Sequence, residues 1–252
     1  MLLQSSHIFN KIGHDTAEVK NLRKSMVEND NNDKEVVVTM DVEQIKVGHM
    51  VVFCYLVSCL ETKEALIIDP GGNEEQLVER IKQKGLELKY IVNTHGHSDH
   101  TCGNAKMKAL TGAKIVMHEA EAELLKIPEL QAMGRQMGFE PSPPADMTVK
   151  DGDQLVIGNV SLNVIHTPGH SPGGMCLLAE GNLFTGDTLF VGGIGRTDLP
   201  GASGQQFMTA IKEKLLTLPD ETIVWPGHDY GPNPSSTIGL EKIANPFVRQ
   251  LV

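Results

Sequence analysis

Tyr90-Ile91-Val92-Asn93-Thr94-His95-Gly96-His97-Ser98-Asp99-His100 joins a short apolar run to a dense group of cation-binding side chains. The run reads as a buried strand. It follows a helical pattern over Glu74–Lys84 that places Leu77, Val78 and Ile81 on one face and is closed by Gly85. Beyond Asn93, in extended or looping chain, residues two apart project to the same side. His95 and His97 can therefore grip one ion while Asp99 and His100 face a neighbouring position. Gly96 and Ser98 are small enough to leave the approach open. A His-x-His pair alone is a weak signal, because histidines also cap and hydrogen-bond in cores. His-x-His-x-Asp-His at a strand end is a much stronger one.

Three more strand ends carry matching chemistry. Val164-Ile165-His166-Thr167-Pro168-Gly169-His170 breaks from an apolar strand into a turn that presents His170. Leu183-Phe184-Thr185-Gly186-Asp187 ends in a carboxylate, and Ile223-Val224-Trp225-Pro226-Gly227-His228 ends in an imidazole. Loops at the ends of rigid strands collect reactive groups because the scaffold fixes them and the loop exposes them. A lone catalytic zinc takes about three protein ligands and keeps a fourth position open. The five histidines and two aspartates exceed that need, so two divalent ions are expected. Sharing Asp187 and a bridging hydroxide, these ions would lie about 3.5–4 Å apart.

Around these motifs the chain alternates strand and helix patterns. Strands are expected at Val36–Ile45, Met50–Ser58, Ala65–Asp69 and Lys114–Met117, then Gln154–Ile157, Val160–His166, Gly174–Ala179, Leu183–Thr185 and Thr222–Trp225. Helices are expected at Ala105–Leu110, Ala120–Lys126 and Gln205–Leu216, and Pro128–Met147, with three prolines, reads as a surface excursion. This order fits two sheets packed face to face with helices outside, although a single mixed sheet has the same pattern. Residues 1–35 are polar and end in Glu28-Asn29-Asp30-Asn31-Asn32-Asp33-Lys34-Glu35. They read as a flexible arm, with a possible helix at Thr16–Val27, ahead of a catalytic domain over residues 36–252.

The chain has 252 residues and a net charge of −10, which argues against nucleic acid and anionic membrane as partners and favours a small molecule. Cys54, Cys59, Cys102 and Cys176 have no paired spacing, and Cys54 and Cys59 should point to opposite sheet faces. No signal peptide and no membrane-spanning run is visible, so a cytoplasmic protein is expected.

Thr94–His100, Thr167–Gly169 with His170, Gly186-Asp187 and Pro226-Gly227-His228 together resemble the five-part ligand pattern of the metallo-β-lactamase superfamily, over roughly Val36–Val252. The resemblance implies a four-layer αββα sandwich. Within the superfamily, Gly186-Asp187-Thr188-Leu189-Phe190, Gly193-Ile194-Gly195-Arg196-Thr197-Asp198 and the stretch from Ser236 to Phe247 look like the short glyoxalase II-like hydrolases. By that likeness His95, His97 and His170 would hold one metal, and Asp99, His100 and His228 the other. Asp187 would bridge them. The metals would be zinc, with iron or manganese as other candidates.

The implied reaction is hydrolysis of S-D-lactoylglutathione or a related acyl thioester by a metal-bridging hydroxide, with Asp99 as ligand and orienting group. A thiol with a pKa of about 8.5 leaves with little help from an acid. Two departures bear on the substrate. The chain runs only to Val252, short of the C-terminal helical domain of full-length glyoxalase II, and Ser98 stands where a bulky aromatic is common. The excursion Pro128–Met147 is expected to supply the missing wall.

Persulfide dioxygenases are the alternative, because Gly195-Arg196-Thr197-Asp198 and Gly227-His228-Asp229-Tyr230 resemble theirs. In that family, residues matching His95, His170 and Asp187 hold a single iron that serves the oxidation of glutathione persulfide. Gly192-Gly193-Ile194 is more hydrolase-like and puts hydrolysis first. A β-lactam hydrolase is disfavoured because Asp187 stands where many such enzymes carry Cys.

Other residues have ordinary expectations. Arg196 and Asp198 should form a structural pair, Cys102 should be a buried thiol, and His118 and His166 should be hydrogen-bonded. Tyr230 should contact substrate or shape a turn, and His7, His14 and His49 have no assigned role.

Overall fold

The computed structural model describes residues 39–252, so the arm and the helix expected at Thr16–Val27 lie outside the described residues. The first sheet runs in chain order: β1 (Met40–Val47), β2 (Val52–Cys59), β3 (Glu64–Ile68), β4 (Glu87–Val92), β5 (Lys114–His118) and β6 (Met147–Val149). β1 to β3 are antiparallel neighbours. From β3 to β6 the pairing is parallel, and each parallel step needs a crossover. The crossovers are α1 (Glu74–Gln83), then α2 (Ser98–Thr101) with α3 (Asn104–Thr111), then α4 (Glu119–Leu124) with α5 (Pro128–Gln136).

The second sheet has the order β14 (Ser236–Thr237), β13 (Ile223–Pro226), β10 (Asn182–Gly186), β9 (Met175–Ala179), β8 (Val160–His166), β7 (Gln154–Ile157). A small ribbon, β11 (Leu189–Phe190) with β12 (Gly193–Ile194), follows β10. α6 (Gly204–Ala210) continues as a π-helix through Ile211–Leu215 and leads to β13, and α7 (Ile238–Ala244) follows β14.

Three apolar clusters turn these elements into four layers. Every residue of β2 is buried, and its alternation decides which layer each fills. Phe53, Tyr55, Val57 and Cys59 point between the sheets, where they meet Leu162, Val164, Leu177 and Phe184. Val52, Cys54 and Leu56 point outward to Leu77, Val78, Ile81 and Met107 of α1 and α3. Behind the second sheet, Leu183 and Val224 pack on Phe207, Ile211 and Leu215. The result is the αββα sandwich, and the single mixed sheet is excluded. Cys54 and Cys59 occupy opposite faces as expected, and all four cysteines are free.

The differences from the sequence reading concern short or polar elements. β4 starts at Glu87, three residues before the apolar run, because its first half alternates exposed and covered positions. β6, β11 and β12 are too short to leave a period of two. Ser98–Thr101 is helical where a loop was expected, so Asp99 and His100 sit on one helical turn. Pro128–Met147 is no irregular excursion: its first half is α5, started by Pro128.

Candidate metal centre

The sandwich brings the ends of four strands to one edge. β8, β9 and β10 are successive antiparallel neighbours, and β13 is parallel to β10, so β8, β10 and β13 all run the same way. Their C-terminal ends deliver His170, Asp187 and His228. The end of β4 delivers His95 and His97 and leads into α2 with Asp99 and His100. Backbone bonds tie the sheets together there: Phe53 N–H donates to Gly227 O at 2.8 Å, and Met175 N–H to Thr94 O at 2.9 Å. Gly186 allows a close approach there. Its φ is +48°, and a Cβ there would stand 2.3 Å from Thr94 Oγ1, so only glycine fits.

All seven residues singled out from the sequence converge. They form three overlapping triads whose ligand atoms lie within 4.8 Å of one another: His95, His97, His170; His95, His100, Asp187; and Asp99, His100, His228. His97 Nδ1 is 3.0 Å from His170 Nε2, and His100 Nε2 is 3.1 Å from His228 Nε2. Asp187 reaches both sides, with Oδ1 3.3 Å from His100 and Oδ2 3.6 Å from His170 and from His228. Asp99 Oδ2 is 3.4 Å from His228 Nε2.

The outer hydrogen bonds fix the tautomers. His100 Nδ1–H donates to Asp69 Oδ2 at 3.0 Å, His170 Nδ1–H to Arg196 O at 2.8 Å, and His228 Nδ1–H to Met50 O at 3.3 Å. The Thr94 hydroxyl donates to Asp69 Oδ2 at 2.6 Å and so is free to accept from His95 Nδ1–H at 3.2 Å. Each of these four imidazoles thereby aims its Nε2 inward. His95 Nε2 and Asp187 Oδ1 are buried with no hydrogen-bond partner. At 3.1 Å the Nε2 atoms of His100 and His228 either share a proton or turn their lone pairs to a common cation. The donor set of imidazole and carboxylate suits divalent transition metals, and this is a divalent-metal site.

The proton affinities divide the histidines into neutral ones and one that attracts positive charge. Burial, joined by the neighbouring imidazoles, pushes His95 well below the ordinary histidine range and brings His97 down to about 4. These two stay neutral and able to ligate. Burial also opposes charge on His100, yet the carboxylates of Asp187, Asp99 and Asp69 outweigh it and favour positive charge there. Asp99 and Asp187 remain ionised: burial raises them, but the facing histidines hold both below the ordinary carboxylate range.

Two supporting residues escaped the sequence reading. Asp69 is 1% exposed and also accepts from Thr94 N–H at 2.8 Å, so one carboxylate orients both the His95 and His100 segments. Its signal was available, since Asp69 ends an apolar strand just as Asp187 does. Glu121 is equally buried and accepts from Gly96 N–H at 2.9 Å and Gly173 N–H at 2.7 Å, joining the His97 loop to the His170 loop. Nothing in its helical pattern distinguishes it.

The site opens into a cavity of about 310 Å³. His97, Asp99, His170, Asp187 and His228 line its floor; α5 and Phe139, within the excursion, form part of its wall, and α4, outside it, adds another part. α5 lies directly on the ligand segment: a Cβ at Gly134 would stand 2.4 Å from Ser98 Oγ. A bulky aromatic at position 98 would collide with this helix. Small residues at both positions are what let the wall close down.

The remaining residues mostly fill the roles expected. Arg196 and Asp198 form a bidentate pair at 2.6 and 2.7 Å, which pulls the Asp198 carboxyl down to about 2, while the Arg196 carbonyl holds His170. Cys102 is half-buried where a buried thiol was expected, and that partial burial, aided by Glu74, pushes the thiol up to about 11. His118 Nδ1 accepts from Ala120 N–H, and its ring stacks on His166 at 3.9 Å. Tyr230 lines the cavity and stacks on His228 with centroids 4.7 Å apart. His49 gains a place: it stacks on Phe139 at 4.8 Å. His7 and His14 lie outside the described residues. No helix among the described residues is long and apolar enough to cross a membrane.

Comparison with known proteins bears on this geometry. The hydroxyacylglutathione hydrolase GloC of Haemophilus influenzae is 35% identical over 192 residues, covering 75% of this chain and 89% of that protein. The BLEG-1 B3 metallo-β-lactamase superposes with a TM-score of 0.75 at 36% identity, covering 82% of this chain and 99% of that one. ETHE1 from Myxococcus xanthus superposes with a TM-score of 0.71 at 30% identity, covering 83% and 85%. The likeness to the hydroxyacylglutathione hydrolase and the site chemistry support a metal-dependent hydrolase in the general sense. The family model described as the metallo-beta-lactamase superfamily matches residues 47–228, from the end of β1 to the last histidine of the site, and the chain belongs to that superfamily.

Proposed function

We propose that this protein hydrolyses acyl thioesters, S-D-lactoylglutathione or a related compound, with two divalent metal ions. The carrying observation is that the inward Nε2 atoms of His100 and His228, 3.1 Å apart, lie beside a second group of donors from His95, His97 and His170. Asp187 lies between the two groups. His95, His97 and His170 would hold one ion and Asp99, His100 and His228 the other, with Asp187 shared; zinc suits the set, as do iron and manganese. When bound, such a pair supplies hydroxide at neutral pH and stabilises charge that develops on the carbonyl oxygen.

The chain's own residues do the rest. Asp69, Arg196 O and Met50 O keep Nδ1 of three ligand histidines protonated, so the Nε2 lone pairs stay aimed inward. Asp99, ionised and facing the cavity floor, accepts a hydrogen bond from the attacking water and orients it. A thiolate leaves without a dedicated acid, which agrees with a floor that offers only ligand groups. The four free cysteines suit a reducing, cytosolic compartment.

A persulfide dioxygenase using His95, His170 and Asp187 around one iron is the second reading, favoured by the likeness to ETHE1. The hydroxyacylglutathione hydrolase relatives, with 40% identity in the Polaromonas protein, put hydrolysis first. Thiol release from S-D-lactoylglutathione and oxygen uptake with glutathione persulfide, assayed on one preparation, separate the two. Hydrolysis without oxygen uptake is expected, and the reverse overturns the proposal.

A further inference from the structure

The cavity wall beside the ligand segment is lined by apolar side chains. α5 carries Leu130, Met133 and Gly134, with Met137 just past its end, at the i, i+3, i+4, i+7 spacing of a single helix face, and all four line the cavity. A stripe of that kind normally packs into a core. Here Gly134 rests on Ser98 of the ligand segment, while Met133 and Met137 are 49% and 55% exposed. Met50, 41% exposed, faces the same space from the β1–β2 turn. Methionines shape themselves to a ligand at little cost, so this is a wall that adapts to chain-like groups.

The charges point the same way. No lysine lines the cavity among the described residues, and its one guanidinium, Arg196, is engaged with Asp198. Of the carboxylates that line it, Asp99 and Asp187 serve the metal ions in the two-metal reading, and Glu121 is taken up by the Gly96 and Gly173 N–H groups. A substrate arm bearing several carboxylates finds no free cation on these walls, whereas an apolar arm finds the α5 stripe.

Building on the thioesterase reading, we infer that the substrate's acyl group is an unbranched or lightly branched apolar chain lying along α5, in place of a small hydroxyacyl group. Water forms a C–O bond to the acyl carbon as the C–S bond breaks. The electron pair of that bond stays on sulfur, which takes up a proton, and the products are an apolar carboxylic acid and a thiol.

The test is a series of acetyl, butyryl and hexanoyl thioesters of N-acetylcysteamine, compared with S-D-lactoylglutathione on the metal-loaded full chain. Each buried methylene is expected to raise kcat/KM about fourfold. The hexanoyl thioester should exceed S-D-lactoylglutathione. Met133→Asp and Met137→Asp, both at exposed positions and so compatible with folding, should each lower the hexanoyl-to-acetyl ratio at least tenfold. A flat or falling series, or a ratio unchanged in both variants, overturns the acyl-chain assignment and leaves thioester hydrolysis standing. Failure to hydrolyse any of these thioesters overturns the reaction and the substrate class together.

Discussion

Asp69 Oδ2 lies 3.0 Å from His100 Nδ1 and 2.6 Å from the Thr94 hydroxyl that faces His95, so one buried carboxylate sets the tautomers of two candidate ligands. Removing such an outer partner typically lowers metal affinity by 10–100-fold. Asp69→Ala is therefore expected to weaken divalent-metal binding by about that factor in chelator competition. Unchanged affinity in the folded variant would contradict the role given to Asp69.

The contact between Gly134 and Ser98 predicts a coupled pair. A side chain at Gly134 has no room above Ser98 Oγ, so Gly134→Leu should destabilise the protein by about 1–3 kcal/mol. In a domain of this size each kcal/mol lowers Tm by about 2–4 °C. Ser98→Gly in the same chain should restore part of the loss, and thermal denaturation of the four proteins of the cycle reads the coupling. Strict additivity would mean that α5 does not rest on residue 98.

Metal removal should cost stability, because His95 Nε2 and Asp187 Oδ1 are buried without partners. A ligand at 100 times its Kd stabilises the state it binds by about 2.7 kcal/mol. Chelation is thus expected to lower Tm by several degrees and zinc to restore it. Equal Tm with and without chelator would argue against a metal site.

His118 gives a pH dependence away from the centre. Burial, joined by His166, holds it down to about 4, against about 6.5 in unfolded chain. Between those values the unfolded state binds the additional proton, so stability falls as pH drops from about 6.5 toward 4 and levels off below. Relative to His118→Gln, the native protein should lose ground across that window in denaturant titrations. A constant difference would mean that His118 titrates normally.

Much of the site was legible because its signal is local. The His95–His100 segment and the ends of β8, β10 and β13 each carry their ligands within a few residues of an apolar run, and all seven residues converge. The choice between one sheet and two was not local: it rests on which face of β2 meets which layer, and β2 is buried on both. Asp69 was readable by the same strand-end rule as Asp187 and was missed because it lies outside the five-part ligand pattern that includes Asp187. Glu121 was unreadable, because its function depends on two backbone N–H groups brought together only in the folded chain. The helical turn at Ser98–Thr101 hid behind its own ligands, whose polar spacing imitates a loop.

The central claim is a two-metal thioester hydrolase, and one titration tests it most directly. Metal-free protein receives zinc in fractional equivalents while thiol release from a saturating thioester is followed. Activity should climb to a plateau at two equivalents per chain. A plateau at one equivalent, or thiol release that does not depend on metal, would contradict the account.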